Sequence, residues 1–261
     1  MSDESVSISY CTTCKGRLWQ LRQTLAQNLA TIGTDEEIVL VDFQSPDGLA
    51  AWVWDNFKPA IAMGRLRFFE VLDKAPWHAA KAKNLVHRLA RGAYLFNLDA
   101  DNFLSPEDRN LIRSAKARNL GCRQGTGNLS DGTPGRIGMQ RQAFYEIGGY
   151  DEGLLGILVE DYDLIVRAEA AGHRFIRLPP PTQLPIQNDI AQRLGQFVAT
   201  KKSTEESDLA NVGRVNFTLS KLRLELEGPC RRQNFASYQG RLNGETVILD
   251  GLGNIHPNHS R

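Results

Sequence analysis

The chain has 261 residues, 41% of them hydrophobic, enough for one sizeable core, and no apolar run nears the roughly 20 residues that cross a bilayer. Lys and Arg total 31 against 30 Asp and Glu, a net charge of +1, which argues against a protein whose main task is coating nucleic acid. The opening MSDESVSISY has neither a basic n-region nor a long apolar h-region, so a soluble, cytoplasmic protein is expected.

Residues 6–10 alternate as a short strand. Residues 16–32 carry helical spacing in Leu18, Leu21, Leu25 and Leu29. Residues 37–42 are a continuous apolar run ending in a carboxylate, the pattern of a parallel strand buried on both faces. A loop at 44–48 leads to a helix at 49–57, a strand at 65–71 and a helix at 78–90. Gly92 then precedes a strand at 93–98. This alternation predicts an α/β fold, an open, mostly parallel sheet flanked by helices, whose ligands bind beyond the carboxyl ends of the strands. The polar residues expected there are Thr12, Thr13, Asp42, Asp99 and Asp101.

The second half is less regular. A strand is expected at 135–139, a short helix at 142–147, a turn at 148–152, a helix at 160–171 and a strand at 173–178. Pro179-Pro-Pro181 breaks the chain, 189–227 reads as largely helical, and the last thirty residues are polar and rich in Gly and Asn. The expected organisation is one α/β domain over 1–185, made of a first half to about 102 and a second half from 103, followed by a helical and polar extension over 186–261 packed on it.

Cys11 and Cys14 have redox or zinc spacing, but no second pair follows and no His lies nearby, so buried thiols at a strand end are the favoured account and zinc the lesser one. Between Arg109 and Arg141 stand seven basic residues and one acid, Asp131. That run reads either as a solvated helix face with a loop or as a rim for an anionic acceptor.

The strongest chemical feature is Asp99-Ala-Asp101, placed after the apolar strand. Alternate strand residues share a face, so both carboxylates can aim at one hard divalent cation, Mn²⁺ or Mg²⁺, that bridges a diphosphate. A second cluster, Glu160, Asp161 and Asp163, opens a helix. Helix capping explains one such acid; the other reading is a general base facing the cleft.

With these motifs in this order, residues 5–180 resemble the GT-A glycosyltransferases, especially bacterial family 2 enzymes. The segment from Gly148 to Arg167 is similar to the carboxyl-terminal part of family 7 galactosyltransferases. The resemblance implies that Thr12, Thr13 and Arg17 help hold a nucleoside and that Asp42 contacts its base. It also implies that Lys83 and Asn84, in Ala82-Lys83-Asn84, approach the ribose or diphosphate, with Asp99 beside the donor. It makes Asp99 and Asp101 metal ligands, Asp161 the base and Glu160 an orienting group for the acceptor. The implied donor is a nucleotide-sugar, a UDP-sugar by preference, and the acceptor a saccharide or another hydroxyl-bearing molecule, attacked with inversion. The Trp-Gly pair frequent before the family's acidic pair is replaced by Gly156-Ile-Leu-Val159. For a third metal ligand, His256, His259 and the Gln187–Asp189 stretch remain open. Trp77 and His78 rank below the acids as neighbours of the donor sugar, and His173 reads as structural. Alternatives are a nucleotidyltransferase, disfavoured by the single Gly in 11–17, a non-catalytic binding module, and a transferase acting on a modified base in DNA.

Overall fold

The computed structural model describes residues 6–74, 76–128, 131–187, 206–231 and 235–257. Strand β1 (Ile8–Cys14) is followed by helix α1 (Leu18–Thr31), β2 (Glu36–Asp42), α2 (Leu49–Ala62), β3 (Leu66–Val71), α3 (Ala79–Leu89) and β4 (Tyr94–Asn97). Then come α4 (Pro106–Ala117), β5 (Gly121–Gln124), β6 (Ile137–Gln140), α5 (Arg141–Glu146), α6 (Glu160–Ala170), β7 (Phe175–Leu178), a helix over Glu206–Glu227 that we number α7, β8 (Tyr238–Leu242), β9 (Glu245–Leu249) and β10 (Ile255–Pro257).

The sheet order is β10-β9-β8-β3-β2-β1-β4-β6-β5-β7. Its centre, β3-β2-β1-β4, is parallel, and antiparallel strands β8 and β6 continue it on either side. All seven residues of β2 are buried, as a strand covered on both faces must be. Alternation divides its side chains: Ile38 and Leu40 join the core under α1, α2 and α4, whereas Val39 and Val41 join the core under α3, α5 and α6. The three-layer α/β architecture follows from that two-sided burial.

β1 runs four residues beyond its expected end because parallel pairing with β2 continues to Cys14↔Asp42. Thr12 and Thr13 therefore lie within the strand. Cys11 and Cys14 fall in opposite cores, both buried and free, so they form neither a redox nor a zinc pair. Burial raises the Cys14 thiol to about 12 and pushes the Cys11 thiol up as well.

Helix α4 starts at a capping box. The Ser105 hydroxyl accepts from the Asp108 N–H, and the Asp108 carboxylate accepts from the Ser105 N–H, with Pro106 in the first turn. Among the described residues of the polar tail there are three strands. β8 and β9 are joined by Asn243 (φ 50°) and Gly244 (φ 94°), two left-handed residues of the kind that close two-residue hairpins. At Gly240 a Cβ would collide with the Phe69 ring, so glycine is required where β8 meets β3. Of the largely helical stretch expected over 189–227, residues 206–227 form α7, and 189–205 lie outside the described residues. Among the described residues no helix is long and apolar enough to cross a membrane.

Candidate active site

The parallel strands β1, β2 and β4 end on one side of the sheet, and their following loops are stitched together there. The Ser45 hydroxyl accepts from the Gly16 N–H at 3.0 Å, and Asp47 accepts from the Leu18 N–H at 2.8 Å, capping α1 from a neighbouring loop. Asp42, at the end of β2, is buried and accepts from the Ser45 N–H at 2.7 Å. Burial, with Glu70 and Asp47 nearby, raises its carboxyl to about 6. Thr12 is occupied structurally: its hydroxyl donates to the Leu98 carbonyl at 2.7 Å and ties β1 to the turn after β4. Thr13 is half-buried at the same end of β1.

Asp99 and Asp101 lie in a turn beyond β4, not on the strand, with the Asn102 N–H bonded to the Asp99 carbonyl. Strand alternation therefore does not aim them, and their carboxylates have different neighbours. Asp101 faces Arg17 at 3.5 Å and accepts from Asn102 at 2.7 Å. Asp99 accepts from the Asn97 amide at 3.0 Å. The turn is pinned from below by Arg136, fully buried, which donates to the Phe103 carbonyl at 2.8 Å and to Asn102 and Gln124, beside Asp108.

The second acidic cluster reaches the same place. At Gly135 an added Cβ would overlap Asp99 Oδ2 and stand 3.4 Å from Asp161 Oδ2, so a bare backbone separates these two carboxylates. Lys83 Nζ donates to both Asp161 oxygens at 2.6 and 2.7 Å and to Glu160 at 3.0 Å. The Lys83 ammonium is thus directed to the acids that open α6. Asp161 and Glu160, with Asp99 nearby, hold its pKa well above the usual lysine range against the effect of burial. Burial raises the Asp161 carboxyl to about 7, with Glu160 and Asp99 acting in the same direction and Lys83 opposing them. Asp161 nevertheless stays 19% exposed, opening onto a cavity of about 280 Å³ lined also by Tyr162, Thr133 and Arg123. Glu160 Oε2 is buried with no hydrogen-bond partner.

Asn84 is fully buried. Its amide donates to the Tyr150 carbonyl and Glu152, and its oxygen accepts from the Tyr150 N–H, so it fixes the 149–152 turn rather than presenting a free amide to a ligand. Asp163 pairs with Arg167 at 2.7 Å, both fully buried, and accepts from Ser220 of α7, so it joins the two helices. Trp77 packs edge-on against Phe43, and His78 caps α3 while its other ring nitrogen meets the Leu154 carbonyl. His173 lies 3.6 Å from Glu146, in a structural position.

The loop before α6 is strained where the acids begin. Leu158 and Val159 both have positive φ, 71° and 75°, costly for bulky residues and found chiefly where surroundings enforce it. Asn216 of α7 enforces it here. Its amide donates to the carbonyls of Leu155, Ile157 and Leu158, and its oxygen accepts from the Leu155 N–H at 2.6 Å. Nothing local in the sequence marks Asn216, Gly135 or Arg136 for these roles.

A hard divalent cation fits the donor chemistry of Asp99 and Asp101, which offer carboxylate oxygens and no soft ligand, as suits an ion that keeps waters and phosphates as its other ligands. Among the described residues no group of three His, Cys, Asp or Glu is placed to hold a metal. His256 is not a third ligand: it sits on β10 at the far edge of the sheet, bonded to Asp250 at 2.8 Å. The Ile186 N–H bonds the Asp101 carbonyl at 2.9 Å, which brings Gln187 close, although the Gln187 amide is taken by the carbonyls of Asp131 and Pro185. Asn188, Asp189 and His259 lie outside the described residues.

Residues 9–122 match the model of the family described as glycosyl transferase family 2, a stretch that contains Asp42, Lys83, Asp99 and Asp101 but ends before Glu160 and Asp161. No curated protein matches the chain. Among solved structures, S. aureus TarS 1–349 in complex with UDP-GlcNAc is similar with a TM-score of 0.60 at 14% identity, over 85% of this chain and 68% of that one. The mannosyltransferase PcManGT from Pyrobaculum calidifontis, in complex with GDP-Man and Mn²⁺, gives 0.55 at 15% identity over 88% and 73%. GalNAc-T7 with UDP, GalNAc and Mn²⁺ gives 0.55 at 14% identity over 82% of this chain and 50% of that one. These likenesses show the fold, the GT-A architecture.

Proposed function

We propose that the chain is a metal-dependent glycosyltransferase that moves a sugar from a nucleotide-sugar, a UDP-sugar by preference, to an acceptor hydroxyl with inversion. The observation that carries this is the convergence of Asp161, Asp99 and Lys83 around Gly135, beyond the carboxyl ends of the parallel central strands. The family match over 9–122 and the nucleotide-sugar complexes of structures sharing the fold support it.

In this reading Asp42 accepts from the donor's base, Thr13 and Arg17 border the nucleoside, and Asp99 and Asp101 hold the cation. Bound there, the cation would neutralise charge growing on the departing diphosphate. Arg17 leaves Asp101 for the diphosphate when the donor arrives. Asp161 takes the proton of the acceptor hydroxyl as its oxygen bonds to the anomeric carbon, while the bond from that carbon to the diphosphate oxygen breaks. Attack from the side opposite the leaving group gives inversion. Lys83 holds the base in place and opposes the rise of its pKa, and Glu160 orients the pair by sharing the Lys83 ammonium. The Gly148–Arg167 segment supplies the acceptor side.

Equilibrium binding tests the donor half. UDP, GDP and dTDP are titrated calorimetrically into wild type and Asp42→Asn, with and without Mn²⁺. One diphosphate is expected to bind, more tightly with Mn²⁺, and to lose about tenfold in affinity in Asp42→Asn, the worth of one hydrogen bond to a charged group. If no diphosphate binds under either condition, the nucleotide-sugar reading fails.

A further inference from the structure

With Asp161 taken as the acceptor's base, we infer that the acceptor carries an anionic group, a phosphate or carboxylate, gripped by Arg123 and Arg177 beside the hydroxyl that reacts. The inference therefore rests on the transferase reading and adds the chemical class of its second substrate.

Arg123 and Arg177 are register partners on the parallel strands β5 and β7, so their side chains leave the same face of the sheet side by side. Both line the cavity that Asp161 opens onto. Both are exposed, and among the described residues neither has a carboxylate partner. Of the five other arginines in the 109–141 run, Arg118 ends α4 away from the cavity and four are employed elsewhere. Arg109 and Arg113 pair with Glu36 at 2.6 Å each, Arg136 is buried beside Asp108, and Arg141 donates to the Ala90 carbonyl. The run is thus dispersed rather than forming one rim, and within it Arg123 alone lines this cavity.

Two guanidinium groups side by side without a counter-ion repel each other, an arrangement that an oxyanion between them would reverse. The surrounding loop accommodates them. Gly127 has φ +95°, and a Cβ there would stand 2.9 Å from the Arg177 guanidinium, so the glycine lets that group lie against the backbone. Tyr162, 45% exposed, leans on Phe217 at a ring separation of 5.4 Å and gives the cavity an aromatic wall suited to the carbon face of a sugar or polyol. A volume of about 280 Å³ holds a single sugar ring or a short polyol with its charged group. It does not hold a duplex, and the dispersal of the basic run removes the continuous positive face a nucleic acid would need.

The test is calorimetric binding of glycerol 3-phosphate, methyl glucuronide and methyl glucoside to the full chain. Wild type, Arg123→Gln, Arg177→Gln and the double variant are compared, after thermal melts show that each is folded. One anionic probe is expected to bind about tenfold or more tighter than the neutral glucoside, with each substitution removing about tenfold. The probe that binds distinguishes phosphate from carboxylate. Arg→Lys variants, which keep the charge but lose the planar fork, should keep part of the preference. Equal binding of charged and neutral probes, no binding of either anion, or a preference that survives in the double variant would overturn the inference. So would a single-stranded oligonucleotide that outbinds both anions and depends on the same arginines. These titrations contain no donor, so an absence of donor binding or turnover beside intact anion binding would count against the transferase reading and not against the anion site.

Discussion

Asp161→Asn should lower turnover by about 10²- to 10⁴-fold, the usual contribution of a positioned general base, while nucleotide binding stays near the wild-type value. The carboxyl is held at about 7 by burial and by its acidic neighbours, so its pH dependence has a definite sign. The base must be ionised to accept a proton. Wild-type turnover should therefore rise with pH through about 7 and level off above it. In Asp161→Asn this acid limb should vanish together with the rate. Initial rates of nucleoside diphosphate release across the neutral range check both, with water in place of the acceptor hydroxyl. An acid limb that persists in Asp161→Asn would assign the titration to another group.

Lys83→Met should destabilise the chain by about 3–5 kcal/mol near neutral pH, because it leaves Asp161 and Glu160 facing each other without their cation. For a chain of this size that is about 10 °C in melting temperature. The sign of its pH dependence follows from the same neighbours. Lys83 is the group that lowers the Asp161 pKa, so its removal leaves burial, Glu160 and Asp99 to push it further up. A carboxyl whose folded pKa lies above its unfolded value favours the fold when protonated and opposes it as pH rises through the folded pKa. The loss in Lys83→Met should hence shrink on acidification, and the acid limb of turnover should move to higher pH. Thermal melts and rate profiles at several pH values read the two effects separately. A pH-independent loss of stability with an unmoved acid limb would mean that Lys83 acts by packing alone.

The central sheet was legible because its strands are apolar runs ending at polar residues, a pattern set by burial on both faces. Asp42, Asp99 and Asp101 stand out for the same reason. Two missed elements also had local signals. Ser105-Pro-Glu-Asp108 carries the capping box of α4, and Asn243-Gly244 carries the β8–β9 hairpin, yet the surrounding polarity hides both. Other residues were not legible at all. Asn216 acts on carbonyls some sixty residues earlier in the chain, and Arg177 gains its meaning only from strand register with Arg123. Gly135 matters because the turn carrying Asp99 and the start of α6 carrying Asp161 close around it. The basic run misleads for the complementary reason: neighbours in sequence, Arg109 to Arg141, are distributed by the fold to an acidic strand start, a buried network and a cavity. Lys83, expected to approach the ribose or diphosphate, is bonded in the structure to Asp161 and Glu160.

The most direct test of the account is release of nucleoside diphosphate from UDP-, GDP- and dTDP-sugars with Mn²⁺, comparing wild type with Asp101→Ala. The account predicts slow release from one donor by the wild type, abolished by EDTA and lowered at least about a hundredfold in Asp101→Ala. Release that is unaffected by EDTA and by the substitution, or no release from any donor, would contradict it.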